Sequence, residues 1–249
     1  MIVHYIFVGI LGLLIGSFIS VVTFRIPAGL DFVKGRSFCP GCKKKISWYD
    51  NIPLFSFIFL KGRCRRCQKK ISLRYPLIEI ASGIGFLTIS IFTLPNFIKM
   101  IYFLIAFSLL LIIFVIDLEN QIIPDPLAFI FIAVAVLYYV IFNQTGLLAS
   151  LLSGFLASSF LLFINIITKG RGMGLGDVKF AIAGGIFSGL TLMPIWLLLS
   201  FLTGALTGSI LILLGKAGLK TKIAFGPFLV VGILLTEIFG EKIISLLGL

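Results

Sequence analysis

Two aspartates interrupt long apolar runs and are the residues best placed to do chemistry. Asp117 ends the run Ile112-Ile-Phe-Val-Ile, and Asp177 closes the glycine-rich run Gly172-Met-Gly-Leu-Gly. An ionisable group in or beside a membrane helix is costly, and it is therefore a functional candidate by default. A pair of carboxylates can supply the acid and the base of an aspartyl protease, so we predict Asp117 and Asp177 as catalytic residues.

The two aspartates are predicted to have unequal roles because they lie at opposite ends of their helices. Asp117 is at the carboxyl end of an apolar segment, where the helix dipole disfavours a carboxylate anion. Asp177 is at the amino end of the next such segment after a glycine loop, where free N–H groups favour the anion. This polarity assigns Asp177 as the base that takes a proton from water and Asp117 as the acid.

Other acidic residues near the apolar segments have structural explanations. Asp125 follows Pro124 at a predicted helix start, where an acid can act as a cap. Glu119 is predicted to be solvated in the polar turn after Asp117. Glu79 follows Tyr75-Pro76 by one helical turn and can pair with a nearby Lys or Arg.

All four cysteines form two pairs with the spacing of a metal site, Cys39-Pro-Gly-Cys42 and Cys64-Arg-Arg-Cys67. The 21 residues between the pairs slightly exceed the usual zinc-ribbon range. A reducing cytoplasmic setting disfavours disulfides, which leaves zinc, free thiols or a redox pair. We predict a structural four-cysteine zinc site, which has no open position for catalysis and supplies folding energy to a small loop.

The composition predicts an all-α polytopic membrane protein. Of 249 residues 59% are hydrophobic and 12% are charged, and the mean hydropathy is +1.19. Repeated apolar segments of this kind indicate membrane helices, since a helix satisfies its own backbone groups in hydrocarbon. We predict about eight transmembrane helices with a zinc-knuckle cytoplasmic loop between the first and second. The spans are 2–24, 76–94, 97–116, 126–142, 147–168, 178–192, 194–214 and 225–247.

Charge distribution predicts the orientation. Thirteen of the 21 Lys and Arg residues lie between Arg25 and Arg74, and the remaining positive charges mostly fall in alternate connections. The positive-inside rule then puts the N-terminus outside and both catalytic aspartates at the cytoplasmic face. This membrane explanation of the net charge of +12 makes a nucleic-acid partner unnecessary. The predicted domains are a first transmembrane helix (1–24), a cytoplasmic zinc-binding loop (25–75) and a seven-helix aspartyl peptidase membrane domain (76–249).

Six short motifs in a fixed order carry a resemblance that covers nearly the whole chain. Together they resemble the bacterial type 4 prepilin peptidases, the bifunctional leader peptidases and N-methyltransferases of pili, type II secretion and competence systems. The motifs are Gly16-Ser-Phe-Ile-Ser-Val21 with Arg25-Ile-Pro27, Asn51-Ile-Pro53 with Lys61-Gly62, Arg74-Tyr-Pro76 with Glu79, Asp117 with Ile123-Pro-Asp125, Gly174-Leu-Gly-Asp177-Val-Lys179, and Phe225-Gly-Pro227-Phe228.

The resemblance implies a membrane-embedded aspartyl endopeptidase of the bacterial inner membrane. Its substrates would be type 4 prepilins or pseudopilins, cut after a Gly at the end of a short basic leader at the cytoplasmic face. It also implies methylation of the new N-terminal residue, usually Phe, with S-adenosylmethionine as methyl donor. The residues that bind this donor are not indicated by any motif, and the candidates are the basic zinc loop with Glu79 or Lys179.

Two alternatives stay open at the level of sequence. A presenilin-type or archaeal preflagellin-type peptidase would keep the aspartyl chemistry, although the zinc loop argues against it. A non-enzymatic zinc-binding membrane scaffold or an ion-coupled transporter would use the acidic residues along an ion path. Such a protein has no need of Gly-Leu-Gly-Asp at the start of a helix.

Overall fold

The chain is almost entirely helical in the part that the computed structural model describes, which is residues 2–31, 35, 37–39, 41–216, 218 and 221–247. Outside the helices, these residues contain two isolated antiparallel bridges. The predicted spans reappear as helices within a few residues, except that two of them are joined in α7. The helices are α1 Ile2–Arg25, α2 Phe55–Phe59, α3 Arg74–Thr93, α4 Phe97–Asn120, α5 Asp125–Phe142, α6 Leu147–Ile167, α7 Leu175–Leu213 and α8 Gly226–Leu247.

Six helices are long and apolar enough to cross a membrane when the described residues are searched. They are α1 and α3 to α7, in agreement with a polytopic membrane protein. The last helix, α8, has 22 residues but carries Glu237, Glu241 and Lys242 within its length. The predicted total of eight spans therefore depends on α8 and on how α7 is counted.

The long helix α7 reverses direction inside its length. Gly189 has φ +72° and ψ 170°, which interrupts the helical backbone. A Cβ atom at Gly184 would lie 2.5 Å from the Trp196 ring, although twelve residues of straight helix would separate them by about 18 Å. Gly189 fits this reversal because glycine tolerates positive φ, and because a Cβ there would meet the Tyr139 hydroxyl at 2.6 Å.

The first of two compact units, Met1–Ile112, is built on close packing of α1 against α3. A Cβ at Gly12 would lie 2.9 Å from the Gly83 Cα, and one at Gly16 would lie 2.7 Å from the Glu79 Cα. The spacing Gly12-x-x-x-Gly16 thus lets the two backbones approach, as small residues do in membrane helix pairs. Arg74 joins the same helices, since its guanidinium donates to the Ser20 carbonyl and to the Thr23 hydroxyl.

The second unit, Ile113–Leu249, is centred on α7, which packs against α5, α6 and α8. The Ser153 hydroxyl of α6 donates to the Gly185 carbonyl at 2.8 Å, which shows how closely α6 and α7 approach. Phe131 of α5 stacks on Phe180 of α7, and both rings are fully buried. This packing fixes the amino end of α7, which carries Asp177.

Candidate functional site

Asp177 is held by the turn that starts α7. It is the third residue of the helix, and its Oδ2 accepts the N–H of Gly174, the cap residue, at 3.0 Å. This is the acidic half of a capping box, in which a side chain at the third helical position satisfies the cap N–H. The residue is only 7% exposed. The glycine-rich run therefore supplies a backbone donor that orients a buried carboxylate.

The loop before Asp177 is anchored to the carboxyl end of α6. The Thr168 hydroxyl accepts the Gly172 N–H at 3.1 Å, and the Asn165 side-chain amide donates to the Met173 carbonyl. Lys169 and Gly170 turn the chain with positive φ values of 51° and 73°. Asn165 and Thr168 were not identified from the sequence, because polar residues near a helix end are common and no motif marks them.

Asp117 is held by a backbone donor 109 residues away along the chain. It lies in the last turn of α4, is 4% exposed, and its Oδ2 accepts the N–H of Gly226 at 2.9 Å. Gly226 is the first residue of α8, so this donor is one of the free N–H groups of a helix start. The motif Phe225-Gly-Pro227-Phe228 thus belongs to the same site as Asp117.

Ile123 connects the two aspartate sites. A Cβ at Gly176 would lie 3.3 Å from the Ile123 Cβ, and a Cβ at Gly226 would lie 3.2 Å from the Ile123 Cδ1. The side chain therefore contacts the turn beside Asp177 and the turn that binds Asp117. The structure brings the predicted pair together in one unit.

Asp117 faces two helix ends of opposite polarity. It lies at the negative end of α4, and the Gly226 N–H places its carboxylate at the positive end of α8 as well. Both carboxylates therefore accept a backbone N–H at a helix start. Helix polarity alone does not decide which of them acts as the base.

Asp125 and Lys179 form an ion pair beside the aspartates, with 2.7 Å between Lys179 Nζ and Asp125 Oδ1. Asp125 is the first residue of α5, and the cap position itself is occupied by Pro124. The cap role predicted for Asp125 is therefore replaced by a pairing role. Because both side chains are about half exposed, this pair is expected to add little stability and serves mainly to align α5 with α7.

Gly226 is expected to be intolerant of a side chain. A Cβ there would lie 2.5 Å from Asp117 Oδ2, so Gly226→Ala displaces the carboxylate while α8 still forms. A displacement of about 1 Å in a catalytic group can lower a rate by about a hundredfold. We expect peptide cleavage to fall by about tenfold to a hundredfold, measured as initial rates with the thermal unfolding temperature little changed.

Gly208→Ala is the matched control for this substitution. Gly208 lies in the second half of α7, where a Cβ would meet Ile223 at an ordinary 3.9 Å. Its cleavage rate should equal that of the unaltered protein. Equal rates for the two alanine variants would contradict the importance of the contact between Gly226 and Asp117.

The two cysteine pairs lie in turns that repeat each other. The Lys43 N–H donates to the Cys39 carbonyl at 2.8 Å, and the Gln68 N–H donates to the Cys64 carbonyl at 2.9 Å. Lys43 and Gln68 both adopt the left-handed region, with φ values of 55° and 57°. Each turn is closed by one antiparallel bridge, Phe38 with Lys45 in the first and Arg63 with Lys70 in the second.

The four cysteine sulfurs converge with the spacing of a tetrahedral zinc site. All Sγ atoms of Cys39, Cys42, Cys64 and Cys67 lie within 4.8 Å of one another, and those of Cys39 and Cys67 are 3.8 Å apart. Zinc–sulfur bonds of about 2.3 Å in a tetrahedron place the sulfurs about 3.8 Å apart. Backbone N–H groups of Cys67 and Arg66 lower the pKa of Cys64 to about 7. Despite a hydrogen bond from the Lys69 backbone, burial and the three neighbouring thiols raise the pKa of Cys67 to about 11.

Glu79 and Lys179, the two candidates for methyl transfer, belong to different units of the chain. Lys179 is engaged by Asp125. Glu79 is 7% exposed and lines a cavity in Met1–Ile112. The Lys or Arg partner predicted for Glu79 is not found among the described residues, where its contacts are with Leu54 and Ser17.

Two known sequence families together match most of the chain. The Bacterial Peptidase A24 N-terminal domain matches residues 10–93, and the Type IV leader peptidase family matches residues 104–209. The first match contains all four cysteines, and the second contains both candidate aspartates. The two halves of the resemblance thus correspond to two recognised sequence families.

Relatives aligned along most of the chain carry one name, prepilin leader peptidase/N-methyltransferase. The protein of that name from Legionella pneumophila is 31% identical over 275 residues, covering 97% of this chain and 93% of the relative. The protein of that name from Bacillus subtilis is 32% identical and covers 95% of this chain and 94% of the relative. The one from Pseudomonas aeruginosa is also 32% identical and covers 94% of this chain and 90% of the relative. The chain belongs to the bacterial prepilin leader peptidase/N-methyltransferase family, which confirms the resemblance. No solved structure matches it.

Proposed function

We propose that this protein is a membrane aspartyl endopeptidase that removes the basic leader from type 4 prepilin-like proteins. The observation that carries the proposal is the pair Asp117 and Asp177, two buried carboxylates that are each oriented by a backbone N–H at a helix start, beside turns that both contact Ile123. Membership of a leader peptidase family makes a prepilin the natural substrate.

The chemistry requires the two carboxylates to be in different protonation states. The ionised aspartate takes a proton from water as the water oxygen bonds to the scissile carbonyl carbon. The protonated aspartate gives its proton to the carbonyl oxygen, which forms a tetrahedral gem-diol. As the carbon–nitrogen bond breaks, the aspartate that took the proton from water gives it to the leaving nitrogen of the mature pilin. One hydroxyl of the gem-diol returns its proton to the other aspartate, which restores the pair. Two close carboxylates share protons, so the pair titrates as a unit and the roles of Asp117 and Asp177 are assigned jointly.

We place the cleavage at the cytoplasmic face of a protein with eight spans and an external N-terminus. The reversal of α7 at Gly189 supports counting that helix as two spans, and α8 supplies the last one. The ends of α4 and α6 and the starts of α5, α7 and α8 then share one face with the basic segment 25–75. A prepilin whose leader stays in the cytoplasm would present its scissile bond there.

The second proposed activity is methylation of the new N-terminal residue with S-adenosylmethionine. The names of the relatives support it. In this proposal segment 25–75 is a cytoplasmic loop organised by structural zinc on Cys39, Cys42, Cys64 and Cys67, while residues 76–249 form the seven-helix peptidase domain. Four thiolates complete the coordination of zinc, so the metal organises the loop and takes no part in the chemistry.

Incubation of the purified protein with a prepilin tests both activities. Mass spectrometry should find the leader cut off after its terminal Gly, and a methylated N-terminus only when S-adenosylmethionine is supplied. Asp117→Ala should leave the substrate intact. Uncleaved prepilin with both proteins would instead favour the zinc-binding scaffold or the ion-coupled transporter.

A further inference from the structure

Large apolar side chains are exposed in the short helices between α1 and α3. Trp48 is 75% exposed, Phe55 73%, Ile58 72% and Phe59 84%. Exposed apolar residues on a membrane helix face lipid, but the described residues of this segment contain no helix long enough to cross a membrane. Apolar side chains grouped at such a surface mark a contact with a membrane or with another molecule.

Three of the exposed residues lie on one side of α2. Phe55, Ile58 and Phe59 are spaced three and four residues apart, which places them together on a helix surface. The opposite side faces the segment itself, where the Ser56 hydroxyl donates to the Tyr49 carbonyl at 2.9 Å. Phe55, Ile58 and Phe59 therefore form an apolar face of α2 that adds nothing to the interior of the segment.

Backbone contacts hold α2 in place without using its apolar face. The Ser56 N–H donates to the Ile52 carbonyl at 3.1 Å, and the Gly62 N–H donates to the Phe57 carbonyl at 2.8 Å. Gly62 has φ +67° and follows the helix end, as glycine commonly does. A Cβ at Gly62 would lie 3.1 Å from the Phe57 ring, so this ring covers the turn. The apolar face is thus presented by a fixed backbone.

Positive charge flanks the apolar face on both sides along the chain. Lys61 and Arg63 follow it directly and are exposed, and the three lysines at 43–45 precede it and are exposed too. Residues 25–74 contain thirteen Lys and Arg residues but only two acidic ones. Apolar and aromatic side chains flanked by Lys and Arg are typical of surfaces that lie in the headgroup region of an anionic bilayer.

A bilayer is within reach because both ends of the segment continue into membrane helices. α1 ends at Arg25, and α3 begins at Arg74. The Arg74 guanidinium donates to the Ser20 carbonyl and the Thr23 hydroxyl, so the two helix ends lie side by side. The segment therefore stays close to the lipids around α1 and α3 in either orientation of the chain. A second copy of this chain, or the basic leader of a prepilin, would instead bring more positive charge to the same place.

We propose that the apolar face of α2 inserts into the headgroup boundary of a bilayer that contains anionic lipid, and that Lys61 and Arg63 bind the lipid phosphates. Aromatic rings suit this depth, where one part of the side chain meets acyl chains and the rest meets headgroups. Insertion holds the cysteine-containing segment on the membrane surface in addition to its two covalent connections. The proposal depends on the chain being a membrane protein and is independent of the proposed chemistry.

Tryptophan fluorescence of the full-length protein in lipid nanodiscs tests this contact. The chain has two tryptophans, Trp48 and the fully buried Trp196, so the signal lost in Trp48→Phe belongs to Trp48. In that background Phe59→Trp places a probe on the apolar face itself. Lipids brominated in the upper acyl chain should quench the probe at least about twofold, while aqueous acrylamide should quench it weakly. Phe155→Trp, on the exposed side of α6, is the positive control for lipid contact.

The charge of the lipid should control the fraction of probe that is inserted. Replacing anionic phosphatidylglycerol by phosphatidylcholine, or adding salt, should reduce the quenching by brominated lipid. Lys61→Gln combined with Arg63→Gln should lower the ratio of inserted to water-exposed probe by about tenfold, since each basic residue near an anionic surface contributes about fivefold.

Removing the apolar contacts should release the probe in a separate way. Phe55→Ser combined with Ile58→Ser should lower the same ratio by about tenfold or more, because both side chains leave the acyl region. Phe163→Ser, at an exposed position of α6, is the matched control and should leave the probe unchanged. Retained prepilin cleavage and an unchanged unfolding temperature show that each variant is folded.

Four results would each overturn the assignment. A probe quenched by acrylamide and not by brominated lipid places the apolar face in water. Shielding that appears only after prepilin is added assigns the face to the substrate, and shielding only in nanodiscs with two chains assigns it to a second copy. Equal insertion in anionic and neutral lipid, unchanged in the charge variant, removes Lys61 and Arg63 from the contact. Prepilin cleavage is measured separately, so none of these results bears on the peptidase.

Discussion

Replacing Asp177 by asparagine is expected to lower prepilin cleavage by on the order of a thousandfold or more. Asparagine retains the size of the side chain and an oxygen that can accept the Gly174 N–H, so the start of α7 should remain intact. It cannot exchange a proton with water or with the scissile carbonyl. The initial rate of leader removal, followed by gel shift and mass spectrometry, measures this effect.

Asp117→Asn is expected to show the same loss, because one carboxylate without the other lacks either the acid or the base. The double variant should be no worse than either single one, since residues that act as a unit have non-additive effects. Glu119→Gln is the matched control, as it neutralises an exposed acid two residues from Asp117 and should cleave normally. Appreciable cleavage by Asp177→Asn would rule out its catalytic role.

The sequence was most informative where function requires rare residues. Acids beside long apolar runs are few, which limits the candidates, and the positions of Asp117 and Asp177 at helix ends predict these two as the catalytic pair. The cysteine spacing likewise predicted a cluster, and the structure confirms that the four thiols converge. Helix positions followed from apolar runs, because a membrane helix must satisfy its own backbone.

The sequence does not predict the contacts that backbone atoms make with distant side chains. The Gly226 N–H donates to Asp117 across 109 residues, and a glycine near a proline gives no sign of its distant acceptor. The polarity of the two helices that carry the aspartates therefore does not separate their roles, because Asp117 also faces the start of a third helix. The sequence also does not predict the reversal at Gly189 itself, although it predicts a boundary between two spans nearby.

The hydrogen-bond partner of Glu79 is a second contact that the sequence does not predict. Periodicity places Glu79 near a helix start, and the expected neighbour was a Lys or Arg. The structure instead gives it the N–H of Leu54, a residue whose positive φ no local pattern predicts. The sequence predicts the helix position of a side chain such as Glu79 more readily than the conformation of the irregular backbone that surrounds it.

Loss of zinc is expected to unfold the segment between α1 and α3. Cys39 is the most buried of the four cysteines, and few other apolar side chains are buried among the described residues of the segment. Metal binding to a structural site of this kind contributes on the order of 10 kcal/mol, which a loop without a core cannot replace. Metal analysis should find about one zinc per native chain and a large reduction in Cys39→Ser.

Limited trypsin digestion gives an independent measurement of the same unfolding. The segment contains Lys61, Arg63 and Arg65 as cleavage points, which become accessible when the two cysteine turns separate. Ser47→Ala is the matched control, since Ser47 starts a short turn without a side-chain cap bond. It should keep the zinc and the resistance to trypsin. Undiminished zinc in Cys39→Ser would refute a four-cysteine site, whereas zinc loss without new cleavage would show that the turns are stable on their own.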